Sequence, residues 1–80
     1  MASVSTDYPV PVILDDLGKP MGIILDCMWE RVVVDYHDIK AQSESDDWRS
    51  VRFFRGSMGD VEQIGRIRQT LTMLASRARA

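Results

Sequence analysis

Between Val10 and Asp26 two short apolar runs flank a turn-forming stretch, and this constrains the fold more than any other feature of the chain. Val12-Ile13-Leu14 and Met21-Gly22-Ile23-Ile24-Leu25 read as the arms of a β-hairpin. Asp15-Asp16-Leu17-Gly18-Lys19-Pro20 joins them. Aspartates there favour a turn through local hydrogen bonds, and Gly18 can take a positive φ at no steric cost. Pro9 and Pro11 cannot donate to a ladder, so the first arm lies at a sheet edge or starts late, at Val12. Gly22 inside the second arm marks a close approach of another backbone. The seven residues before Tyr8 are small and polar and predict a frayed terminus.

The hairpin is expected to feed directly into a helix. Leu25, Met28, Trp29, Val32, Val33, Tyr36 and Ile39 recur at helical spacing and form one wide apolar face. Asp26, Glu30, Arg31, Asp35, Asp38 and Lys40 fill the opposite side. Asp26 is a suitable N-cap. The spacing predicts a helix over residues 27–42, with a third strand through Val32-Val33-Val34 as the alternative. A polar loop follows at Ser43–Asp47, and Trp48–Arg55 reads as a strand that Gly56 ends. Ser57 caps a last helix, with Asp60 in the place of a capping-box acid. Within it Ile64, Ile67, Leu71 and Leu74 form a seam close to a coiled-coil repeat. The order is β-β-α-β-α: an α+β fold in which a small antiparallel sheet is packed by two helices, one domain over residues 1–80.

Eighty residues bury only a modest core. One cysteine, Cys27, builds no internal disulfide framework and fits a reducing compartment. No leader and no apolar run long enough to span a bilayer stands in the chain, so a cytoplasmic protein with no membrane contact is expected.

The candidates for chemistry are few. His37 stands between acids, but neighbours at i±1 and i±2 on a helix do not converge on one point. Cys27 has no second cysteine, and Asp15 and Asp16 belong to the turn. The five glycines have no phosphate-loop spacing. No catalytic residue, metal ligand or cofactor is expected, and the chain does not read as an enzyme.

The net charge of −2 hides an asymmetry. Residues 1–47 carry ten acids against three bases, a balance of −7, and residues 48–80 carry seven arginines against two acids, a balance of +5. The two parts either fold against each other or present separate faces to partners. Trp48, Arg52 and Arg55 on the basic strand, with Arg66 and Arg68 on the last helix, are the candidate partner-binding residues. Tryptophan and arginine dominate protein-binding hot spots. The same alternation of aromatic and basic residues also suits single-stranded nucleic acid. Overall acidity favours a protein partner and leaves nucleic acid second. The Ile64-Ile67-Leu71-Leu74 seam is either intramolecular core or a self-association face of a homodimer.

The hairpin also carries a resemblance. Pro11-Val12-Ile13-Leu14, a three-residue gap, Gly18-Lys19-Pro20, then Met21-Gly22-Ile23-Ile24-Leu25-Asp26 and an aromatic at Trp29 resemble the Phd/YefM antitoxins over residues 10–36. The resemblance implies a hairpin-helix platform and a small bacterial or phage inhibitor that binds its partner through the C-terminal part. The family's helical segment before the hairpin, used in dimerisation and operator binding, has no counterpart in the nine residues before Val10, so DNA binding is not carried over. The expected function is that of a small regulator or inhibitor acting by contact with another protein, with a nucleic-acid-binding module as the alternative.

Overall fold

The computed structural model describes residues 2–27, 30–45 and 59–79. Four strands come first: β1 (Ser3–Ser5), β2 (Val12–Leu14), β3 (Pro20–Cys27) and β4 (Glu30–Asp35). Two helices follow, α1 (Tyr36–Ser45) and α2 (Gly59–Arg79). The strands form one antiparallel sheet in the order β1-β2-β3-β4. The fold is α+β, as the sequence implies. The order β-β-α-β-α is corrected to β-β-β-β-α-α. The strand expected over Trp48–Arg55 and the cap expected at Ser57 lie outside the described residues.

The largest correction falls on the helix expected over residues 27–42. Its first part is the end of β3 and the whole of β4, and only from Tyr36 onward is the chain helical. The third strand weighed as the alternative is the one observed. Val32, Val33 and Val34 are stiff at χ1, lose freedom in a helix and pack well on a pleated surface. β3 supplies an antiparallel partner, pairing Leu25 with Val32, Ile24 with Val33 and Ile23 with Val34. Burial follows period two: Val32 and Val34 are half-buried, while Arg31, Val33 and Asp35 are exposed. The helix cap moves accordingly, from Asp26 to Asp35. Asp35 Oδ1 accepts the backbone N–H of His37 (2.9 Å) and of Asp38 (3.3 Å), satisfying two orphan donors of the first turn.

The N-terminal residues are also corrected. Ser3–Ser5 pair with Val12–Leu14 as β1, so β2 is an inner strand and the prolines precede it. Pro11 accepts the N–H of Ile24 (3.0 Å) through its carbonyl, the one ladder bond a proline can still make. The hairpin turn forms as expected. Asp15 Oδ1 accepts the N–H groups of Leu17 and Lys19, each at 2.8 Å, and Gly18 adopts a φ of 78°. At Gly22 an added Cβ would lie 2.9 Å from the carbonyl oxygen of Val34, so β4 runs where a side chain would stand.

Paired residues share a face of a sheet. One face carries Val12, Ile23 and Leu25, all buried. Tyr8 and Val10 from the β1–β2 connection, Ile39 of α1, and Ile67 and Leu74 of α2 complete the core with them. Both helices therefore pack on this one face. The opposite face carries Val4, Ile13, Ile24 and Val33. Val4 is 56% exposed and Val33 62%.

Among the described residues Thr70 is the buried polar group of this core, at 0% exposure. Its hydroxyl donates to the carbonyl of Arg66 (2.8 Å) and accepts the N–H of Val10 (3.2 Å). One side chain thus closes a helix bond and joins α2 to the N-terminal segment. Thr70→Val keeps the shape and strands the Val10 N–H, a cost of about 1–3 kcal/mol in urea unfolding, whereas Thr70→Ser retains the bond and costs less. Gly22→Ala drives a methyl group into the β4 backbone and lowers stability by about 1–3 kcal/mol in the same measurement.

Candidate partner-binding surfaces

The five candidate residues divide between what the structure describes and what it does not. Trp48, Arg52 and Arg55 lie outside the described residues. Arg66 and Arg68 stand on α2, both exposed. Arg66 Nη2 donates to Glu62 Oε1 (2.6 Å), an i,i+4 ion pair whose side chains are 56% and 71% exposed. Solvent screens such a pair, which is worth well under 1 kcal/mol. Arg68 lies two residues further round the helix and lines a groove.

That groove runs between the two helices, open to solvent, with a volume of about 440 Å³. Lys40, Ser43 and Glu44 line it from α1, and Arg68, Leu71, Thr72 and Ala75 from α2. Its chemistry is mixed: two cations and a carboxylate at the rim, with Leu71 and Ala75 as apolar floor. Helical spacing explains the set. Lys40, Ser43 and Glu44 stand at i, i+3 and i+4, and Arg68, Leu71, Thr72 and Ala75 at i, i+3, i+4 and i+7. That periodicity stands in the sequence. The pairing of the two faces does not, because it depends on how both helices sit on the sheet.

The seam residues divide in the same way. Ile67 and Leu74 are buried in the core, and Ile64 and Leu71 pack against it half-buried. Period 3.6 places the four side chains on one stripe, and that stripe faces the sheet.

A second arginine is fixed at the far end of α2. Arg77 Nη1 donates to the hydroxyl of Tyr8 (2.8 Å), and its guanidinium carbon stands 5.0 Å from the centroid of the same ring. It therefore binds Tyr8 both as a hydrogen-bond donor and as a cation over the ring. The sequence holds no local signal for a contact between residues 69 positions apart.

Among the described residues no three His, Cys, Asp or Glu side chains cluster as metal ligands. His37 is exposed on the first turn of α1, its ring edge-on to Tyr36 at 5.5 Å. Asp15 and Asp35 serve backbone N–H groups of a turn and a helix cap. No described helix is long and apolar enough to cross a membrane. No protein-family model, curated protein or solved structure matches the chain significantly.

The two arginines should differ on substitution. Arg77→Ala loses a hydrogen bond and a ring contact that tie α2 to Tyr8, and unfolding free energy falls by about 1–2 kcal/mol. Arg66→Ala, in an exposed pair, changes it by less than about 0.5 kcal/mol. Parallel thermal and urea unfolding of both variants checks the difference.

Proposed function

We propose that the protein is a small non-catalytic regulator that acts by direct contact with a partner protein, as an inhibitor of the antitoxin kind. The observation that carries this reading is the groove between α1 and α2, with Arg68 and Lys40 beside the apolar surface of Leu71 and Ala75. Apolar floor and charged rim are the anatomy of a protein-recognition site. The occupant that fits is a segment of the partner with an apolar side chain flanked by an acid. The apolar group would lie on Leu71 and Ala75, and the acid would face Arg68 and Lys40 in charge-assisted hydrogen bonds. Trp48, Arg52 and Arg55 remain candidate contacts with the same partner in our reading, on the sequence evidence that tryptophan and arginine make hot spots. The antitoxin form rests on the hairpin around Gly18-Lys19-Pro20.

Tagged protein recovered from its native cells at low and high salt, with and without nuclease, tests the proposal. One partner protein is expected at both salts, resistant to nuclease. Arg68→Glu, an exposed substitution that leaves the circular dichroism spectrum unchanged, should reduce its recovery at least about tenfold. Nucleic acid lost at high salt, with no protein retained, would overturn the reading in favour of nucleic-acid binding.

A further inference from the structure

We infer that β4 is a dimerisation edge, pairing antiparallel with β4 of a second copy about a two-fold axis at Val33 to make one continuous eight-stranded sheet. This goes beyond the partner-binding reading and uses a different surface.

Three observations carry it. The first is topology. β1 and β4 are the two edges of the sheet, and no other described strand pairs with β4. β1 spans three residues and β4 six, so β4 is the edge long enough to template another strand.

The second is the direction of its backbone groups. Ile24 donates its N–H to Pro11, so its polar groups face β2. Polar groups alternate sides along a strand, so those of Ile23 and Leu25 face β4. Their partners Val34 and Val32 return those bonds. The N–H and C=O groups of Arg31 and Val33, and the N–H of Asp35, therefore point to the outer side of β4, while the Asp35 carbonyl opens the α1 helix. Val33 also exposes a large apolar side chain on the sheet face opposite the core, at 62%.

The third is charge order, which selects the partner. Glu30-Arg31-Val32-Val33-Val34-Asp35 places a cation two residues before Val33 and an anion two residues after it. In an antiparallel pair centred on Val33, Arg31 faces Asp35 of the second copy, and Asp35 faces its Arg31. The N–H groups of Arg31, Val33 and Asp35 then all face the second strand, with Val33 against Val33 at the axis. Val32 and Val34 meet on the face that holds the core. A parallel pairing in the same register would set Arg31 against Arg31 and Asp35 against Asp35, which is unfavourable. A one-residue slip would set valines against charges on the wrong faces. The strand is thus self-complementary in one orientation and one register, as an isologous interface requires. Asp35 keeps its capping role, because Oδ1 holds the helix N–H groups and the second carboxylate oxygen faces no such demand. Helix α1 packs back over β3 and β4, on the core side of the sheet.

Sedimentation equilibrium of the full chain, from roughly 10 μM to roughly 1 mM, reads the association directly. A reversible dimer of the 9.1 kDa chain is expected, in the weak range typical of a small interface. Val33→Pro removes the central outward N–H and no β3–β4 bond, and is expected to abolish the dimer. Arg31→Glu sets two like-charge pairs at the interface and should weaken it about tenfold without touching the core. Should Val33→Pro fail to fold, Arg31→Glu decides alone. Amide exchange of the wild-type chain gives an independent reading: protection of the Arg31, Val33 and Asp35 N–H groups is expected to rise with protein concentration. A chain that stays monomeric throughout overturns the proposal. A dimer indifferent to both substitutions, or one that forms with no gain of protection along β4, overturns it equally.

Discussion

The bond from the Val10 N–H to the Thr70 hydroxyl is the constraint on which the rest of this small core depends. Val10 belongs to an irregular connection, where a buried N–H has no ladder partner. Without an acceptor from α2 the segment could not bury Tyr8 and Val10 beneath the helix. With it, the N-terminal chain joins α2 and the sheet in one core. Arg77 repeats the principle at the other end of the contact, holding Tyr8 by its hydroxyl and its ring. These two contacts span some sixty to seventy residues, and they decide where α2 lies.

Two carboxylates, Asp15 and Asp35, fix the turns of the chain. Asp15 closes the β2–β3 turn with one oxygen and two N–H groups. Asp35 ends β4 and starts α1 by the same device. Each stabilises a change of chain direction within a few residues, which short polar side chains do well. A groove between helices, and a β4 edge that no other described strand pairs, are both suited to contact with another chain.

A core on one face leaves the other face of the sheet with Val4, Ile13, Ile24 and Val33. An antiparallel sheet tolerates one solvated face, but its edges still need protection. The short β1 and the charges along β4 serve that end. The order of those charges does more, since it permits one pairing and disfavours the rest. Protection against promiscuous pairing and selection of one mate are two results of the same pattern.

The sequence alone determined the β2–β3 hairpin, its glycine at positive φ, the tight approach at Gly22, the seam of α2 and the α+β class. Each rests on interactions within a few residues, or on a period that only one structure satisfies. The helix expected over residues 27–42 shows where local reading stops. Leu25, Val32 and Val33 fit a helical stripe, and Ile23, Leu25, Val32 and Val34 equally fit two paired strands. The hairpin partner decided between them, because three consecutive valines gain more from pairing with β3 than from an isolated helix. Arg68 was legible as an exposed cation, but the groove it lines was not. Only the tertiary structure brought both helices to one face, set Arg68 and Lys40 on one groove, and left β4 at an edge among the described strands. Those outcomes depend on contacts between residues far apart in the chain, which no local pattern encodes.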